Sequence, residues 1–460
     1  MNSQSKKMEL LGSASIPKAL LSMGIPTMIG MLVNAFYNLV DAYFVGGLGE
    51  SQMGAISVVY PLGQVVVGLG LLFGNGAASY ISRLLGRGDK ENADKVASTA
   101  LYSSVSVGAV IIIISMVFLH PILKLLGATD SILPFAATYA SIYIVSCIFN
   151  VFNVTMNNIV TSEGAAKTTM CALLTGAVLN IALDPLFIYV FDLGVAGAAI
   201  ATAISQVVST CVYLTYILRK KSVFHFRVKD CTYTKETMSE IFKIGIPTLV
   251  FQILTSVSIS LINNAAGDYG DSAIAGMGVV TRLISTGSLS VFGFIKGFQP
   301  IAGYSYGAKK FDRLREAIKT SILWSTVFCV VFGVILALFP TAIVSRFTKD
   351  DTEMIRIGAA SLRANGISIM LFGFYTVYSS LFLALGKGRE GFILGACRQG
   401  ICFIPVILLL PIVWGLNGIM YAQPIADALS AVITVFMAIP LHKKLNEMQK
   451  QTAAINTNNN

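Results

Sequence analysis

Charge is scarce in this chain: Asp, Glu, Lys and Arg make up 12% of it, about half the share that a soluble domain carries. That shortage excludes a surface facing water on all sides. Histidine is rarer still, with 3 residues, and His120, His225 and His442 lie far apart, so no histidine-based metal centre is expected. The 7 cysteines show no C-x-x-C or Cys/His spacing. Cys147, Cys171, Cys211, Cys329, Cys397 and Cys402 fall in apolar stretches and Cys231 in a connector, which reads as small buried apolar residues. No small-residue cleavage site follows a short apolar core near the amino end, so the first apolar run reads as a retained span. Acids in DxxxD-type spacing, which a membrane transferase needs to hold a metal-bound diphosphate, are also missing.

What the chain has in quantity is apolar residue, 55% by count, arranged in runs of about 20 or more, enough to cross a hydrocarbon core of roughly 30 Å as a helix. Barrel strands are shorter and alternate, so helices are the only spanning structure that fits. The expected spans are 17–46, 53–82, 95–119, 131–159, 167–191, 195–219, 238–267, 273–303, 314–340, 354–384, 389–413 and 416–441. The fold class is therefore an all-α polytopic membrane protein with 12 transmembrane helices.

The net charge of +10 sits in short connectors, which argues against nucleic acid as partner. Alternate connectors gather Lys6, Lys7, Lys18, Arg83, Arg87, Lys90, Lys95, Lys167, the Arg219–Lys235 group, Lys309, Lys310, Arg313, Arg315, Lys387, Arg389, Lys443, Lys444 and Lys450 on one side. The other side holds Lys124, Arg346, Lys349 and Arg356. Cytoplasmic loops carry the excess of Lys and Arg, so both termini are expected in the cytoplasm and the protein in the cell membrane.

The halves repeat. Gly24-Ile25-Pro26-Thr27 returns as Gly245-Ile246-Pro247-Thr248, an offset of 221 (245 − 24) that also aligns Gly76 with Gly297 and Gly86 with Gly307. Six spans per half make parallel repeats about an axis along the membrane normal, a transporter plan with the substrate path between halves. The expected organisation is a lobe at 1–219, a cytoplasmic linker at 220–236, a lobe at 237–442 and a disordered tail at 443–460. Gly70/Gly74 and Gly293/Gly297 are read as close helix-packing pairs.

An acid at bilayer depth costs roughly 2.5–3.5 kcal/mol on insertion scales, so it faces the protein interior and serves a purpose. Asp41 ends a stripe with Asn34 and Tyr37 or Asn38 on one face of the first span. Asp184 follows Asn180 by one turn on the fifth span, and Pro185 frees carbonyls beside it. Thr202, Ser205, Gln206 and Ser209 stripe the sixth span. Carboxylates, an amide and free carbonyls suit a proton or a small hard cation. Asp427 on the last span and Arg398 on the eleventh are matched in depth and read as a structural ion pair, while Lys296 and Arg282 are expected to snorkel to the two interfaces. Met28, Met31, Asn34, Tyr37, Asn38, Asn153, Asn157, Gln252 and Ser256 are the candidate substrate-cavity residues, since adaptable Met, flat aromatics and amides suit planar lipophilic cations.

Asn38-Leu39-Val40-Asp41-Ala42-Tyr43-Phe44-Val45-Gly46, the eighth-span run Gly297-Phe298-Gln299-Pro300-Ile301-Ala302-Gly303-Tyr304-Ser305-Tyr306-Gly307-Ala308-Lys309 and the second-span ending Gly86-Arg87-Gly88-Asp89 together resemble the multidrug and toxic compound extrusion (MATE) family, in the prokaryotic branch with MepA-type and DinF-type exporters. The resemblance implies a V-shaped pair of six-helix bundles around a central cavity, acting as a monomer. It implies alternating access and export of cationic, lipophilic drugs in exchange for H⁺ or Na⁺, with no other cofactor and no resident metal beyond a transient Na⁺. It places cation coupling on Asp41, Asn180, Asp184 and Thr202. The seventh span carries Asn263 and Asn264 where one branch of the family has an acid, so coupling is expected in the first lobe. The alternative is a lipid-linked oligosaccharide or lipid flippase of the same superfamily, which would line its cavity with several Arg or Lys.

Overall fold

The computed structural model describes residues 3–348 and 351–458. Lys349, and Asn459 and Asn460 of the expected tail, lie outside them. Among the described residues the chain is helical with no strand. Twelve helices are long and apolar enough to cross a membrane: Ile16–Gly46, Ser51–Arg87, Lys90–Val117, Leu133–Ser162, Ala166–Val190, Gly194–Leu218, Lys235–Gly267, Ser272–Gly307, Phe311–Leu338, Thr352–Ala384, Gly388–Trp414 and Leu416–Thr452. They are named below the first to twelfth spans.

Where connectors are short, polar residues stop and start the helices. Asp89 caps the third span by accepting from the Asn92 N–H, Thr234 caps the seventh from Thr237, and Asp351 caps the tenth from Met354 at 2.8 Å. The Met354 N–H and the Ser272 hydroxyl hold the Asp351 carboxyl below its ordinary range. Gly88, at φ 80°, takes the left-handed turn that ends the second span.

Within the first six spans, the second packs on the fourth, the fourth on the sixth, and the first on the fifth. Within the last six, the eighth packs on the tenth and the eleventh on the twelfth. The lobes meet through the first and second spans on one side and the seventh and eighth on the other. Glycine makes this seam possible. A Cβ on Gly86 would stand 2.1 Å from the Tyr304 carbonyl oxygen, and one on Gly307 would stand 2.1 Å from that of Arg83. These two contacts exchange under the 221-residue offset, and Gly76 against Ile241 and Gly297 against Gly24 add two further close approaches. Gly70 and Gly74 likewise lie tight against Val154 and Thr155 of the fourth span.

Side-chain hydrogen bonds across the seam cluster toward the end carrying both termini. Asn75 donates to Thr248 at 2.8 Å, Ser79 to the Leu383 carbonyl at 2.5 Å, and Arg83 to Glu240 at 2.6 Å. The outermost among the described residues joins Gln252 to Gln64 at 3.4 Å. Beyond it, toward the opposite face, Asn38, Tyr43, Tyr60, Ser256 and Ser260 are exposed. The molecule is a V, closed at the terminal side.

A helix that the sequence reading missed, Ser3–Gly12, straps that closed side. Lys7 donates to Glu163 at 3.3 Å, to Tyr216, and to the Lys221 carbonyl at 2.5 Å. Glu163 is fully buried in the turn between the fourth and fifth spans and also accepts from Ser222 at 2.9 Å and the Val223 N–H at 2.6 Å. Burial pushes its carboxyl above the usual range against the pull of Lys7, and pushes the Lys7 ammonium below its own. At the other end of the strap, Lys310 donates to the Gly12 carbonyl at 2.7 Å and Arg313 to those of Leu11, Leu10 and Ala14. Leu11, Ile16, Leu20 and Met23 then enter the core of the second lobe. The linker docks by Val223, Phe224 and Phe226 on the first lobe.

Two expectations need correction. The tail from 443 is not disordered as far as it is described: its helix runs Leu416–Asn458, held by Gln449 on Asp312 at 2.6 Å and by Arg315 on Asn446. Lys296 does not snorkel to an interface, because an acceptor nearer at hand, the side chain of Asn157, meets it across the seam.

Lys7→Met leaves Glu163 buried without its cation, a loss of about 3–5 kcal/mol. Thermal melting of the purified protein in detergent should fall for Lys7→Met and recover largely in Lys7→Met/Glu163→Gln. Equal melting of Lys7→Met and wild type would mean the pair is idle.

Candidate functional site

The fifth span is α-helical from Ala166 to Pro185 and then widens into a π-turn at Leu186–Val190, closed by the Phe191 N–H on the Leu186 carbonyl at 2.9 Å. Pro185 has no N–H to give the carbonyl of Ile181, so the ladder loosens beside Asp184. On the face so displayed, Asn180 donates to Asp184 Oδ1 at 3.2 Å and reaches Thr202 Oγ1 of the sixth span at 3.5 Å. The first span brings Asp41 within hydrogen-bonding reach of Asp184. The structure thus gathers all four residues named for coupling.

What the cluster leaves undone is its main chemical feature. Asp41 Oδ1, Asn180 Oδ1 and Asp184 Oδ2 are buried oxygens with no hydrogen-bond partner. Asp184 is wholly buried and Asn180 is 2% exposed. Buried acceptors are normally satisfied, and one left unsatisfied costs about 1–3 kcal/mol, more when charged. Three such oxygens on neighbouring side chains suit a proton or a hard cation. No group of three or more His, Cys, Asp or Glu that could hold a resident metal occurs among the described residues.

The second lobe pairs its own buried acid. Arg398 sits in a π-turn at Cys397–Ile401 of the eleventh span and donates to Asp427 Oδ1 at 2.9 Å. Gln423 donates to the same oxygen at 2.8 Å, Ser368 to the other at 3.0 Å, and the guanidinium lies 4.6 Å from the Phe372 ring centre. With a guanidinium, an amide and a hydroxyl on its two oxygens, this acid is paired and leaves neither oxygen without a donor.

The cavity candidates divide. Asn38 donates to the Asn34 carbonyl at 2.8 Å and to its side chain at 3.1 Å, on the face leading down to Asp41, and Tyr37 is half-buried between them and the acids. Met31 is half-buried on the same span, and Ser256 stands exposed one turn beyond Gln252 on the seventh. Met28 lines an apolar cavity of about 190 Å³ with Leu21, Ile25, Phe294, Trp324 and Phe328, where the first span meets the eighth and ninth. Asn157 is buried at the seam, its amide on Tyr213 at 3.2 Å and its oxygen on Lys296. Asn153 belongs to packing instead: it donates to Gln206 Oε1 at 2.8 Å and accepts from Thr210 at 2.9 Å, which ties the fourth span to the sixth. An amide on a helix face gives no sequence signal of whether a neighbouring helix or a cavity will take it.

The comparisons with known proteins agree over most of the length. The MatE family model matches residues 26–186 and again 247–409, one copy per lobe. Multidrug export protein MepA of Staphylococcus aureus is 32% identical over 429 residues, 93% of this chain and 94% of that protein. The protein of that name from Staphylococcus saprophyticus is 32% identical over 433 residues, covering 94% and 95%. A solved outward-facing multidrug resistance MATE transporter of the MOP superfamily superposes with a TM-score of 0.90 at 26% identity, covering 97% of this chain and 99% of that one. A MOP superfamily transporter from Pyrococcus furiosus, described as having a binding pocket of reverse polarity, superposes at 0.88 with 26% identity over 96% and 99%.

Asn153→Ala should cost about 1–3 kcal/mol of stability, by stranding Gln206 and Thr210, with dye efflux per folded molecule unchanged. A selective loss of efflux at normal melting temperature would return Asn153 to the cavity.

Proposed function

We propose, from the premise that this chain belongs to the MatE family, that it exports organic cations and lipophilic drugs in exchange for H⁺ or Na⁺. It is a multi-pass membrane transporter rather than an enzyme, and the reading adds the energy source and the path. The observation that carries it is the convergence of three unpartnered buried oxygens, Asp41 Oδ1, Asn180 Oδ1 and Asp184 Oδ2, at the wall of the first lobe.

Two carboxyls facing each other away from water cannot both stay charged, so the pair holds a proton or is bridged by a cation. The reach of Asp41 to Asp184 favours the proton, because a shared proton satisfies both acids at once. Displacing it leaves negative charge beside Tyr37, Asn34 and Asn38, a wall that attracts a cationic cargo. Rebinding restores neutrality and lets the cargo go. The first span links this exchange to the cavity, since it bears Asp41 at one end and packs through Gly24 on Gly297 of the other lobe.

Alternating access then consists of rocking the lobes about the glycine seam. The V is closed at the terminal side, and the concentration of Lys and Arg in the terminal-side connectors supports reading that side as cytoplasmic. Cargo accordingly leaves through the mouth on the opposite face, as a monomer would allow.

The test is dye transport in vesicles under separately imposed proton and sodium gradients. Wild type should move ethidium against its gradient when one of the two is applied. Asp41→Asn and Asp184→Asn should insert normally and lose gradient-driven movement by about a hundredfold, whereas normal efflux by both variants would refute the coupling site.

A further inference from the structure

Lys296 is a cation at span depth whose surroundings the proposed exchange does not explain. It lies on the eighth span at the seam, between Gly293 and Gly297, which lie tight against Met28 and Gly24 of the first lobe. Charged groups at bilayer depth are paired or functional. Arg398 has Asp427, and Arg83 has Glu240. Lys296 has no carboxylate within ion-pair distance among the described residues. Its ammonium carries three N–H donors, and the protein engages it through a single acceptor, Asn157 Oδ1.

The small cavity around it is equally one-sided. Asn75, Ser79, Asn158, Thr161 and Gln299 line it with Lys296, and no acid does. The Ser79 and Thr161 hydroxyls are given to the Leu383 and Asn157 carbonyls, and Asn75 and Asn158 each give one amide hydrogen, to Thr248 and the Val154 carbonyl. That leaves the Lys296 ammonium, the Gln299 amide and the second amide hydrogens of Asn75 and Asn158 as donors for an oxyanion. An organic cation would be repelled from the same spot. The apex of the V therefore has a polarity opposite to that of the wall at Asp41 and Asp184.

We propose that Lys296 and the amides beside it form a carboxylate-accepting subsite at the apex of the cavity, which makes the transporter select zwitterionic cargo. In this arrangement the cargo carboxylate replaces Asn157 Oδ1 as the acceptor of Lys296, and its cationic end faces the acidic wall of the first lobe. Releasing Asn157 also removes a polar contact between the fourth and eighth spans, so cargo binding loosens the seam that must open. The proposal rests on the transport reading given above.

A matched pair of dyes separates the two. Rhodamine 110 is a zwitterion with a free carboxyl; rhodamine 123 is its methyl ester and purely cationic. Transport of each is measured in phosphatidylcholine vesicles, with and without phosphatidylglycerol, for wild type, Lys296→Gln, Lys296→Met and Lys296→Arg. Lys296→Gln, which retains a donor for Asn157, guards against a merely misfolded Lys296→Met.

The expected result is a KM for rhodamine 110 raised about tenfold or more in Lys296→Gln and Lys296→Met, as befits loss of a charged hydrogen bond. The KM for rhodamine 123 should stay within about twofold, and Lys296→Arg should retain the preference. Equal effects on both dyes, no effect on either, or failure of wild type to move rhodamine 110 while moving rhodamine 123 would overturn the subsite. An effect that appears only with phosphatidylglycerol would assign Lys296 to a lipid headgroup and overturn it too. If wild type moves neither dye, the transport reading falls, and the subsite with it.

Discussion

A carboxyl group removed from water must be neutral, paired or bound to a cation, and the organisation of this protein follows from how it meets that demand in two lobes. In the second lobe Asp427 is paired, with Arg398, Gln423 and Ser368 on its two oxygens. In the first, Asp41 and Asp184 have each other and oxygens left over. The lobes share a fold and a duplicated sequence, so the difference lies in side-chain partners: the acid of one is tied to donors on both oxygens, and the acids of the other keep oxygens without a partner. A fully satisfied acid contributes to stability and rigidity, and only an unsatisfied one can respond to pH or salt.

The same contrast extends to the terminal face. Lys7 and Glu163 are a third buried charged pair, but their role is mechanical. Through Lys7 the short amino-terminal helix holds the first lobe, and through its last carbonyls it is gripped by Lys310 and Arg313 of the second. With Arg83 on Glu240 this gives the closed end of the V a set of polar fasteners, each able to exchange with water once parted. Apolar residues from Leu11 to Met23 add burial beneath them. A closure made of glycine contacts, carbonyl caps and a few ion pairs favours one state without locking it.

Much of this was legible in the residues. Span number, the repeat and the acids of the first lobe all follow from one rule, that hydrocarbon tolerates neither unpaired backbone nor idle charge. The glycines that matched at an offset of 221 turned out to be the seam itself. What could not be read was anything decided by a partner outside the local helix. Ser3–Gly12 is too short and polar to signal itself, and it is stable because Glu163 lies across from it. Glu163 lies in the three-residue connector 163–165, and the groups that bury it, Lys7, Ser222 and Val223, come from far along the chain. Asn153 and Asn157 sit one turn apart on one helix, yet the first is taken by the sixth span and the second by a lysine from the other lobe. Lys296 appeared long enough to reach an interface, and only the facing lobe explains why it does not.

The exchange of contacts between Gly86–Tyr304 and Gly307–Arg83 has a consequence for ancestry. Each half presents to the other the same ridge that it receives, which is the definition of an isologous surface. A six-span progenitor carrying that ridge would have met a second copy of itself about a two-fold axis, with each helix running in the same direction as its counterpart in the other copy. Fusion then required no new interface, only a tether on the face where both chains already ended and began. Once joined, the copies were free to diverge, one keeping its carboxyls vacant and the other closing them with arginine.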